Sequence, residues 1–136
     1  MNVADSEIKS MMNKYKKYVV YGLSSDEDKA SHYVPVYMKE HGWDMVGTYP
    51  KKHDVGGFKI FEQLSSVPAE YRKMVNVFRS SDRIPEVVDE ILAVGGVEFI
   101  WLQLGIANQQ AEQRAEAAGL NVVSNHCLII EHKRWF

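Results

Sequence analysis

At 136 residues, 46% hydrophobic and 25% charged, the chain has the size and balance of one globular domain and no room for a second core. Its 16 basic and 18 acidic residues give a formal charge of −2 with the signs mixed along the chain, which excludes the basic field that nucleic acid or an anionic membrane surface attracts. The single cysteine, Cys127, excludes an internal disulfide framework and points to the cytoplasm, and no apolar run is long enough for a secretion signal or a membrane span.

Ile8, Met11, Met12 and Tyr15 follow Asp5 and Ser6 at i, i+3, i+4 and i+7, so residues 1–16 carry an amphipathic helix packed on the domain. Tyr18 to Leu23 reads as a first buried strand that enters a tight turn at Gly22. A helix from about Ser31 to His41 follows, with Pro35 near its first turn and Gly42 at its end. Trp43 to Thr48 is the second strand, Lys51 to Gly57 a loop, and Phe58 to Phe61 a candidate for a short additional strand. Met74 to Phe78 is the third strand, after which Ser80, Ser81 and Asp82 can cap a helix carrying Ile84, Val87, Val88, Ile91 and Leu92. Val97 to Leu102 is the fourth strand, Asn108 caps a helix that closes at Gly119, and Asn121 to Ser124 is the fifth strand. The charged, aromatic C-terminus after Leu128 to Ile130 carries no assignable element.

Alternating strands and helices specify a three-layer α/β sandwich, a five-stranded parallel sheet with helices on both faces joined by right-handed crossovers. Ligands of such sheets bind at the carboxyl ends of the strands, where the strand order reverses. That edge gathers residues 22–31, 48–52, 78–81 and 103–107.

The Gly22-Leu23-Ser24-Ser25 turn runs through Lys29 to Ser31 at a helix start, where amides, hydroxyls and a lysine favour a phosphate or diphosphate. An ordinary strand-to-helix turn fits equally well, because the Gly-x-Gly-x-x-Gly fingerprint is missing. After the second strand the chain reads Thr48-Tyr49-Pro50-Lys51-Lys52, with no acidic residue for a free ribose diol. Lys51 suits a phosphorylated ribose, as in CoA or NADP. Arg79 follows the third strand and is expected to point its guanidinium at the same crevice, to meet phosphate or an adenine face, with capping of a neighbouring carboxylate as the alternative; Gln103 and Gly105 offer an amide and a close backbone approach. Cys127 reads as a structural thiol, and His126, Glu131 and His132 match no metal-ligand spacing.

These residues resemble the small stand-alone CoA-binding proteins, whose domain is similar to the N-terminal CoA-binding domain of the succinyl-CoA synthetase α subunit. The resemblance spans Tyr18 to Lys133 and is carried by Gly22-Leu23-Ser24, Lys29-Ala30-Ser31, Val77-Phe78-Arg79, Trp101-Leu102-Gln103-Leu104-Gly105-Ile106, and Ala118-Gly119-Leu120 on to Cys127 and Glu131. It implies a Rossmann-like domain holding CoA without catalysis, the diphosphate on the glycine turn and the adenosine beside the second-strand loop and the third strand. Family members commonly carry Pro-Val-Asn-Pro where this chain has Gly47-Thr48-Tyr49-Pro50, and a proline in place of Ala30; Tyr49 could stack on a base instead. An NADP-dependent oxidoreductase and an interaction module with a vestigial crevice are the competing readings. A second copy of the chain or an acyl-CoA enzyme is the partner class left open.

Overall fold

Both faces of the first strand are covered, which is why Tyr18, Val19 and Val20 form an unbroken apolar run instead of alternating. The computed structural model describes residues 3–50 and 55–136. Its strands are β1 (Lys17–Tyr21), β2 (Asp44–Thr48), β3 (Ile60–Phe61), β4 (Met74–Val77), β5 (Phe99–Leu102) and β6 (Asn121–Val123). They form one sheet in the order β3-β2-β1-β4-β5-β6, and every adjacent pair is parallel.

The sheet therefore has six strands, not five. The sixth is β3, which pairs with β2 through Gly47↔Ile60 and Thr48↔Phe61. Two residues are too short for a periodic signal, and this edge pairing forms because Gly47 leaves space on β2: a Cβ there would lie 2.9 Å from Ile60 Cδ1.

The helices are α1 (Ile8–Lys14), α2 (Ala30–Glu40), α3 (Ala69–Arg72), α4 (Ile84–Val94), α5 (Gln109–Ala117) and α6 (Leu128–Trp135). On one face, Ile8 and Met12 of α1, Val34 and Met38 of α2, and Leu128 of α6 pack with Tyr18, Val20, Met74, Phe99 and Trp101. On the other, Ile84, Val88 and Ile91 of α4 and Ala111 and Ala115 of α5 pack with Val19, Val75, Val77, Ile100 and Leu102. Each large aliphatic side chain buried in this way contributes roughly 1.5–3 kcal/mol, so the two layers hold the strand ends in place.

The unassigned C-terminus is α6, whose Leu128 and Glu131 face inward; the buried Glu131 carboxylate accepts from Trp135 Nε1 at 3.2 Å. Helix α6 is held to α2 by a 2.8 Å hydrogen bond between Tyr37 Oη and His132 Nδ1. Partial burial, and then the neighbouring His41 and Lys16, hold the His132 pKa below its ordinary value. Asn108 caps α5 as expected, accepting from Ala111 N at 3.1 Å. No side-chain cap begins α4.

Candidate functional site

Strand order reverses between β1 and β4, and the turn that leaves β1 lies at that point. Gly22 has φ +95°, and its N–H donates to Thr48 O at 2.9 Å, which bends the chain sharply across the sheet edge. A Cβ at this position would lie 2.8 Å from Phe78 O and 3.2 Å from an Arg79 guanidinium nitrogen. The bare glycine thus lets the end of β4 and the Arg79 side chain lie directly against the turn.

Beyond Gly22 the loop folds back on itself. Ser24 N–H donates to Ser31 O at 3.1 Å, Ser24 O meets His32 Nδ1 at 2.8 Å, and Ser24 Oγ accepts from Asp26 N at 3.0 Å. Helix α2 then starts at Ala30 with Lys29 in an extended N-cap conformation and no side-chain cap. Its first-turn amides are left without a side-chain partner, which is the usual provision for an anion. The carboxylates of Asp26, Glu27 and Asp28 are exposed, and the Gly22 and Ser24 amides already have carbonyl partners, so that provision is confined to the Leu23 amide and the first turn of α2.

Arg79 lies over the rings of Tyr21 and Tyr49, its guanidinium carbon 5.6 Å from each ring centre. Among the described residues no carboxylate forms an ion pair with it. Two clefts flank this side chain. One, of about 580 Å³, lies among Pro50, Phe78, Ser80 and Arg83; the other, of about 450 Å³, lies among Thr48, Tyr49, Glu62 and Glu90. Tyr21 and Pro50 border both. Tyr21 Oη donates to Glu90 Oε1 at 2.5 Å, and Leu64 N donates to Glu90 Oε2 at 3.2 Å, so α4 ties the β3 segment to the crevice floor. Burial, and then this hydrogen bond, push the Tyr21 phenol pKa well up and keep it a donor.

The expected residues divide by position. Tyr49, Pro50, Phe78 and Arg79 line the clefts, and Gly22 abuts Arg79. Ser24 is nearly buried and Ser31 half-buried, whereas Ser25 and Lys29 are exposed. The Leu23 side chain points into the core, where a Cβ on Gly47 would come within 2.6 Å of it, so Leu23 can offer a ligand only its backbone. Val77 is buried likewise. Gln103 and Gly105 line neither cleft. Gln103 is 3% exposed and accepts from Asn76 Nδ2 at 3.4 Å; Gly105 N–H donates to Asn125 Oδ1 at 2.8 Å. Lys51 lies outside the described residues. Cys127 is half-buried at the start of α6. Among the described residues no three His, Cys, Asp or Glu side chains gather as metal ligands.

Tyr21, Arg83, Glu86 and Glu90 belong to the crevice but escape a reading of the sequence. Arg83, Val87, Glu90 and Val94 follow one another at i, i+4, i+7 and i+11 along α4, and that stripe faces the crevice. The stripe is legible only once the edge of the sheet it faces is known.

A parallel sheet in this order, with a glycine turn where the order reverses, defines a doubly wound α/β domain of the Rossmann-like class. Residues 16–133 match the family described as CoA binding domain, and the chain belongs to it. The chain is 30% identical over 131 residues to the uncharacterized protein YneT of Bacillus subtilis (strain 168), covering 96% of each. It superposes on a hypothetical protein from Pyrococcus horikoshii OT3 with TM-score 0.89 and 28% identity, over 98% of this chain and 92% of that one. For the structure of cell-free ID.343 from Thermus thermophilus the TM-score is 0.87 and the identity 29%, over 98% of this chain and all (100%) of that one.

Proposed function

We propose that this domain binds CoA or an acyl-CoA and catalyses no reaction itself, serving as a carrier or regulatory domain. The diphosphate sits on the turn after Gly22, at the Leu23 amide and the uncapped first turn of α2, and the adenosine end lies beside Pro50, Tyr49 and Arg79. One observation carries this reading: a guanidinium with no described ion pair rests against a side-chain-free turn, between two aromatic rings, at the reversal point of the sheet. Arginine suits that place because its planar fork can meet phosphate oxygens with two parallel hydrogen bonds and still stack on a ring. Membership of the CoA binding domain family supports CoA over other adenine cofactors. A carrier of this kind works in the cytoplasm beside an enzyme that loads or unloads the acyl group.

Calorimetric titration with CoA, NAD and NADP tests the proposal. CoA is expected to bind saturably at one site per chain, while NAD and NADP give no heat of binding. Equal affinity for all three, or NADP ahead of CoA, would contradict it.

A further inference from the structure

We propose that Arg83, together with Arg79 and Ser80, reads the 3′-phosphate that separates CoA from dephospho-CoA; this rests on the CoA reading above. The larger cleft is lined by two guanidiniums, Arg79 and Arg83, and by the Ser80 hydroxyl. Arg79 and Ser80 come from the end of β4, and Arg83 from the turn one step further on. Pro50 lines the same cleft. Phe78 and Val87 add apolar lining, and Glu86 is the one carboxylate that lines the cleft, so the two guanidiniums outnumber it.

A phosphate monoester carries close to two negative charges at neutral pH and is held best by several cationic or hydrogen-bonding groups at once. The backbone supports the same ligand. Residues 81–83 form a 3₁₀ turn that leads directly into the 11-residue α4, and neither start has a side-chain cap. The positive end of the α4 dipole therefore lies beside the same arginines, with Asp82 and Glu86 as the carboxylates of these first turns.

In the free protein Arg83 pairs with Glu86 at 3.4 Å, both side chains well exposed. An exposed pair of this type contributes little, so the guanidinium can exchange that carboxylate for phosphate at small cost. The diphosphate seat is separate: it belongs to α2, whose core residues lie on the opposite face of the sheet from α4. The two anion seats can thus be filled by one ligand running over the edge of the sheet at Arg79.

The test is calorimetric titration of wild type, Arg83→Gln and Arg83→Lys with CoA and with 3′-dephospho-CoA. Wild type is expected to prefer CoA by on the order of tenfold or more. Arg83→Gln should remove most of that preference while leaving the affinity for dephospho-CoA unchanged, and Arg83→Lys should retain part of it because a cation remains. Equal affinity of wild type for the two ligands overturns the inference and leaves the CoA reading standing. So does a preference that survives in Arg83→Gln, or an equal loss for both ligands. If neither ligand binds wild type, the CoA reading falls as well.

Discussion

Arg79→Gln is expected to weaken CoA binding by on the order of a hundredfold while the protein stays folded. The arginine is half-buried against the rings of Tyr21 and Tyr49 and has no ion pair among the described residues, which leaves its guanidinium hydrogen bonds for phosphate oxygens. Two charge-assisted hydrogen bonds to phosphate contribute about 1.5–3 kcal/mol each, and glutamine can replace neither charge. The stability cost is smaller. Two cation–π contacts of about 0.5–1 kcal/mol each are lost, which lowers the melting temperature by no more than about 8 °C. Titration and a thermal scan of one preparation separate the two effects. A variant that binds CoA as wild type does would remove Arg79 from the site.

Gly22→Ala should act in the opposite proportion, damaging the fold first and binding through it. At φ +95° any L side chain is strained, and the added Cβ would meet the backbone oxygen of Phe78 at 2.8 Å, which cannot swing away as a side chain would. Strain and overpacking together are expected to destabilise the protein by roughly 2–4 kcal/mol, a fall of about 8 °C or more in melting temperature. Gly105 provides the control. It has φ +84° but nothing within 4 Å of its virtual Cβ, so Gly105→Ala bears the backbone strain alone and should lose much less. If the two variants lose equal stability, the close approach of β4 to the turn contributes nothing.

The central strands were legible because they are buried on both faces: runs such as Tyr18-Val19-Val20 and Phe99-Ile100-Trp101-Leu102 admit no other reading once turn residues bound them. Helices α2, α4 and α5 were legible from apolar spacing and from Gly42, Gly95 and Gly119 at their ends. Two features were not. Strand β3 is two residues long and exists through its pairing with β2, and α6 begins in an apolar stretch but ends in a mixture of charges and aromatics whose inward stripe includes a buried glutamate.

The crevice was legible in part, for a related reason. Turn residues and strand ends announce themselves locally, so Gly22, Tyr49, Pro50, Phe78 and Arg79 could be placed at one edge from chain order alone. Gln103 shows the limit: it follows β5 at the same edge, yet its side chain turns inward to Asn76. Tyr21 and Glu90 show the converse, a pair 69 residues apart that only packing of α4 on the sheet brings into contact.

The most direct measurement is diffraction from crystals grown with CoA. Difference density is expected to show both phosphates of the diphosphate at the Leu23 amide and the first turn of α2, with the adenosine end against Arg79. CoA bound elsewhere, with the Ser24–Ser31 loop and Arg79 as they stand in the free protein, would contradict the account.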